Sequence, residues 1–259
     1  MKEGERPDSI KGNIETRTER WGYDARFKFY LYRLAILGNE GVEAITAFPE
    51  RIELDDTWHT TLNRMREESR DGIEIGIPIG FRGDRRKVFL PQEFLLGAGK
   101  EERMATSQEA IDKFGISHPL GAIHSHPGSW IHRLAVKTLI STSLVQGFDG
   151  FSARDLYYML DGYGLPMEVV VEMKHNFFAF RTRETRDIPV DSPFRSEVAF
   201  ERHWYRKYGG YFPGKSDLTF ITLPSYSTLK VNIGIAGAYN LALYKGDPGK
   251  DLVRSYPPI

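Results

Sequence analysis

The spacing of hydrophobic positions changes several times along the chain, and each change predicts an element. In "LDDTWHTTLNRMREESRDG" (54–72), Trp58, Leu62 and Met65 recur at i, i+4 and i+7, acids lead the run and Gly72 follows it. That is an amphipathic helix with signals at both ends. The period drops to two in "GIEIGIPIGF" (72–81). Ile73, Ile75, Ile77 and Ile79 share one face and Glu74, Gly76 and Pro78 the other, which predicts a strand. Pro78 has no backbone donor, so it marks an edge or a position unpaired on one side. "KVFLP" (87–91) and "GISHPLGAIHSH" (115–126) read as further strands, with a short helix and its flanks in 101–114.

Beyond residue 150 the same two periods return. "FSARDLYYMLDGYG" (151–164) predicts a helix capped by Ser152 and closed by glycine, and "MEVVVEM" with "FFAFRT" predicts a hairpin around "KHN" (174–176). "SEVAFERHWYRKYGG" (196–210) predicts a helix. In "STLKVNIGIAGAYNLALY" (227–244), Val231, Ile233, Ile235, Tyr239, Leu241 and Leu243 alternate with small residues. The C-terminal aromatics Phe200, Trp204, Tyr205, Tyr208, Tyr211 and Phe212 read as core. Near the other end, "RFKFYLYRLAIL" and "GVEAITAFPERIEL" read as strands, or as a strand and a short helix. Residues 1–20 are polar and charged and read as a flexible tail. Helices and strands are thus interspersed, which places the chain in the α/β (α+β) class.

Composition narrows the function classes. A length of 259 residues suits one large domain or a core with an appendage, and 41% hydrophobic content supplies a sizeable core. Lys+Arg and Asp+Glu are both 35, so net charge favours neither nucleic acid nor an acidic membrane surface. With no apolar run of about 20 residues and no hydrophobic leader, the chain reads as soluble and cytoplasmic. The absence of cysteine excludes disulfides, thiolate nucleophiles and cysteine-based zinc sites. His, Asp and Glu are left as the strong metal ligands.

Against that background "GAIHSHPGSW" (121–130) carries chemistry. Residues i and i+2 of a strand share a face, so His124 and His126 present their imidazoles side by side, a spacing that suits two nitrogens on one zinc. Pro127 favours extended geometry at His126. An isolated H-x-H also fits a pair of surface histidines. "FSARDL" supplies a third ligand: Ser152 and Asp155, three apart at a helix start, face one side. The same S-x-x-D is a capping box, and an Asp on a metal has less freedom to reach the cap. Glu74 is the candidate base, lying at the start of a strand directly after the amphipathic helix. Alone it reads as a solvent-facing residue of a half-buried strand. Glu67, Glu68 and Glu93 compete for its role.

Taken in order, Glu74, then His124-Ser125-His126-Pro127, then Ser152-x-x-Asp155 resembles the JAMM (MPN-plus) family of zinc metallopeptidases. The likeness covers about residues 52–184. It implies an MPN-type core, a central mixed β-sheet flanked by helices, with extensions at 21–51 and 185–259. Residues 128–151 then form an insertion where the family has a shorter link. Ile131, Leu134, Ala135 and Leu139 within it suggest a helix of its own, and His132 reads as a polar residue of that helix. Ser129, Ser141 and Ser143 lack an Asp three residues on, which leaves Ser152/Asp155 as the pair.

The resemblance further implies one Zn2+ per chain, held by His124, His126 and Asp155. Glu74 would act as general base and then acid, and Ser152 as donor to the oxyanion. The implied reaction is hydrolysis of peptide or isopeptide bonds. The implied partners are ubiquitin-like proteins or their conjugates, processed at extended tails. Two alternatives stand beside it: a non-catalytic MPN-type scaffold that binds partner proteins, and a structural zinc domain. The scaffold needs none of these polar residues, and a closed structural site lacks its fourth protein ligand.

Overall fold

The computed structural model describes residues 50–69, 74–82, 88–96, 108–126, 150–161, 166–182, 184–209 and 225–257. The expectations for the tail at 1–20, for the segments before residue 50, for a helix within 128–149 and for Tyr211 and Phe212 lie outside them.

The period-3.6 stretch forms α1 (Asp56–Glu68), opened by Asp55, whose Oδ1 accepts from the Trp58 backbone N–H at 3.1 Å. Its buried Trp58, Leu62 and Met65 pack with Ile75, Ile77 and Ile79 of β2 (Ile75–Phe81), as the two periodicities require. Then come β3 (Val88–Phe89), β4 (Leu95–Leu96), α2 (Gln108–Lys113) and β5 (His118–Ser125). Next are α3 (Ala153–Leu160), β6 (Met167–Val171), β7 (Asn176–Arg181) and α4 (Glu197–Trp204), which runs into a π-helical turn, Tyr205–Gly209. The alternating stretch 227–244 divides between α5 (Ser225–Tyr239) and β8 (Leu241–Gly246), and β9 (Leu252–Tyr256) follows.

These strands make one mixed sheet. With β1 (Arg51–Ile52) included, its order is β1-β9-β8-β7-β6-β5-β2-β3, with β4 also paired to β2. Helices cover both faces: α1 lies over one core, while α3, α4 and α5 share the other with Val170, Phe177 and Ala179. Residues from beyond 184 thus belong to the same sheet and core.

Three features of the sheet position the site. First, β5 and β6 pair in parallel while the other described pairings are antiparallel. A parallel pair needs a crossover, and α3 lies on that connection, so its N-terminus returns toward the C-terminal end of β5. Second, the close approach of β5 to β6 requires a glycine: a Cβ at Gly121 would stand 1.7 Å from the Met167 carbonyl oxygen. Third, β2 is buried along its whole length, so its second face is interior rather than solvated as simple alternation suggested. Its outer pairings run at Ile75–Gly76 and Gly80–Phe81 and skip Pro78, the position with no N–H to give.

Candidate metal centre

β5 ends at Ser125, so His124 lies in its last turn of pleat and His126 one residue beyond, held by its backbone N–H on the Val171 carbonyl at 2.9 Å. Both face the layer of α3. The crossover brings Asp155, in the first turn of α3, against them. His124 Nε2 and His126 Nε2 stand 3.0 Å apart. Asp155 Oδ1 is 3.6 Å from His124 Nε2, and Asp155 Oδ2 is 3.4 Å from His126 Nε2. The cluster is largely buried: the side chains of His124, Asp155 and His126 are 4%, 6% and 18% exposed.

The donor set fits a metal ion. In a tetrahedral centre with bonds of about 2.0–2.1 Å, donor atoms stand about 3.3–3.4 Å apart. Here the two Nε2 atoms stand 3.0 Å apart, Asp155 approaches each through a different oxygen, and one donor atom from each residue lies within 4.8 Å of the others. Two imidazole nitrogens and one carboxylate make a three-residue donor set, one ligand short of a closed four-ligand structural site.

Asp155 also completes the capping box. The Asp155 backbone N–H donates to Ser152 Oγ at 3.2 Å, and the Ser152 backbone N–H donates to Asp155 Oδ2 at 2.7 Å. The capping box is thus formed while the two carboxylate oxygens stand 3.6 and 3.4 Å from the histidine Nε2 atoms. One carboxylate carries about four lone-pair sites, so a single bond to Ser152 leaves Oδ1 and part of Oδ2 directed at the histidines. The cap is what fixes the carboxylate in that orientation. Ser152 itself accepts in the cap, which uses a lone pair and does not consume its hydroxyl proton.

Glu74 precedes β2 directly and is half-buried. The β2–β5 register pairs Gly76 with His124, two residues along the chain from Glu74. Ser125, between the histidines but pointing to the other face, accepts from the Ile75 backbone N–H at 3.0 Å and ties the Glu74 end of β2 to the histidine strand. Of the competing acids, Glu93 is exposed and paired with Lys113 Nζ at 2.8 Å, and Glu68 pairs with Arg64 at 3.1 Å.

Sequence reasoning missed three supporting residues. Glu168, on β6 among valines, brings Oε1 to 3.0 Å from His124 Nδ1. Glu172, four residues on and on the same face, accepts from the Gly150 backbone N–H at 3.1 Å and lies 4.0 Å from His126 Nδ1. Asn232 of α5 clamps Phe151, accepting from its N–H at 2.9 Å and donating to its carbonyl at 2.7 Å. Gly150 beside it has φ +124, where a Cβ would meet Asn232 Oδ1 at 2.4 Å. The only local signal was two acids interrupting the apolar run "MEVVVEM".

The charges follow from this crowding. Burial pushes the Asp155 carboxyl up, but the two imidazoles and the bonds from His124 and Ser152 outweigh it and hold it at about 2. Burial disfavours a charged His124, yet Asp155 and Glu168 raise it well above 6.5. Burial lifts Glu168 to about 7 against the pull of His124.

No family model, curated protein or solved structure matches the chain, so its chemistry is read from the geometry. Among the described residues no helix is long and apolar enough to cross a membrane.

Proposed function

We propose that this chain is a zinc-dependent hydrolase of peptide or isopeptide bonds, with the residue set of a JAMM (MPN-plus) metallopeptidase on an MPN-type core. The observation that carries the reading is the convergence of His124, His126 and Asp155 in one largely buried cluster, with a donor atom from each within 4.8 Å of the others. Bound zinc supplies Lewis acidity and brings the pKa of water in its coordination sphere toward about 7.

The chain's own residues do the rest. Glu74 removes a proton from the attacking water at its carboxylate and returns it to the leaving amine, general base and then acid. Ser152 Oγ–H donates to the oxygen on which negative charge develops. His124, His126 and Asp155 stay fixed on their strand and helix, so little reorganisation accompanies the reaction. The substrates that fit the resemblance are ubiquitin-like proteins conjugated or extended at their C-terminal tails. A scaffold that only binds partners has no use for a buried His-His-Asp cluster, which costs desolvation free energy and adds nothing to a docking surface.

Zinc-loaded protein is expected to cleave an isopeptide-linked tail of a ubiquitin-like protein or a short peptide amide, and to stop when chelator is added. Glu74→Gln should keep its zinc and its fold while turnover drops by roughly 10²–10⁴-fold. Zinc-loaded protein that cleaves neither substrate, or Glu74→Gln with near-normal turnover, counts against the assignment.

A further inference from the structure

We infer that Glu168 is a positioning residue for the metal centre: by accepting from His124 Nδ1 it holds the imidazole in the tautomer whose Nε2 lone pair faces the metal. The inference rests on the metal-centre reading and adds a residue to it.

An acid inside β6, covered on both faces, is expensive unless it is bonded, and Glu168 is 2% exposed. Its partner is the ring nitrogen of His124 turned away from the cluster, at 3.0 Å. Ionised, Glu168 can only accept, so the proton of a neutral imidazole facing it sits on Nδ1 and the lone pair on Nε2. Nε2 is the atom that stands 3.0 Å from His126 Nε2 and 3.6 Å from Asp155 Oδ1. Such a carboxylate behind a ligating histidine fixes ring orientation and raises its basicity. At the second histidine, Glu172 stands 4.0 Å from His126 Nδ1 and accepts from the Gly150 N–H. The parallel β5–β6 pairing, with Gly121 against Met167, is what brings Glu168 to the right ring.

Two substitutions of similar volume separate positioning from plain structural support. Glu168→Gln retains an acceptor oxygen without charge; Glu168→Met retains neither. Zinc affinity is read by competition with a chromophoric chelator, and the tautomer of the neutral His124 ring in metal-free protein by nitrogen-15 NMR. The expected result is a loss of about 10–100-fold in affinity for Glu168→Met, a smaller loss for Glu168→Gln, and loss of the Nδ1–H signature only in Glu168→Met. Wild-type affinity within threefold in folded Glu168→Met, or an unchanged tautomer, overturns the inference and leaves the metal reading standing. If the wild-type protein itself binds no zinc, the metal reading falls, and the tautomer still decides what Glu168 does to His124.

Discussion

Asp155→Asn separates the two tasks that one side chain performs. An asparagine at this position still offers a carbonyl oxygen to the Ser152 N–H, the bond that is 2.7 Å long in the native protein. Amide and carboxylate serve a capping box alike, as Gln and Glu do. What the cap loses is charge at a helix N-terminus, about 0.3–1 kcal/mol. As a ligand the change is far larger. Closed zinc sites with four protein ligands bind with roughly 10–16 kcal/mol, so one anionic ligand accounts for roughly 2.5–4 kcal/mol, or about 10²–10³-fold in affinity. Metal-free thermal unfolding and chelator competition read the two quantities separately. The expected outcome is a melting point within a few degrees of wild type beside zinc affinity lower by at least two orders of magnitude. A variant that loses several kcal/mol of metal-free stability yet binds zinc normally would show that Asp155 serves the helix alone, and the reasoning would be wrong.

Two further predictions follow from the same geometry. Ser152→Ala should cost about 0.5–2 kcal/mol of stability through the lost cap and, if its hydroxyl also serves the oxyanion, about 10²–10³-fold in kcat; an unchanged kcat with lowered stability leaves Ser152 as a cap only. The pH dependence has a definite sign. His124, raised above 6.5, contributes stability that is present below pH 6.5 and lost as pH rises through its folded value. Asp155, lowered from 3.8 to about 2, contributes stability that is present above pH 3.8 and lost as pH falls toward 2. Because zinc must displace protons from its ligands, the gap in melting point between zinc-loaded and chelated protein should widen from pH 5.5 to pH 8. A gap that is flat with pH contradicts the assigned ligands.

How much of this was legible depends on how local the signal is. α1 and α3 follow from periodicity and end signals, and the β6–β7 hairpin from two apolar runs joined by a polar turn. The shared face of His124 and His126 follows from period two. Asp155 was visible only as an ambiguous S-x-x-D, because cap and ligand leave the same trace in sequence. Glu168 was invisible for a different reason. Alternation along "MEVVVEM" sends an acid to solvent in a half-buried strand, but β6 is interior, and only its pairing with β5 sets Glu168 behind His124. Asn232 is further still: it reaches Phe151 from α5, 81 residues on. In α5 itself, small residues serve packing, since Gly234 lies against Tyr208, where a Cβ would come within 2.5 Å of the ring. Alternation of large and small residues there belongs to a helix.

The central claim is that His124, His126 and Asp155 hold a metal ion, and metal analysis of the native protein tests it most directly. Protein purified without chelator, then offered zinc and passed through a desalting column, is expected to carry about one zinc per chain, and His124→Ala under the same treatment to carry almost none. Native protein that retains no zinc, or a His124→Ala variant that retains as much as the native chain, would contradict it.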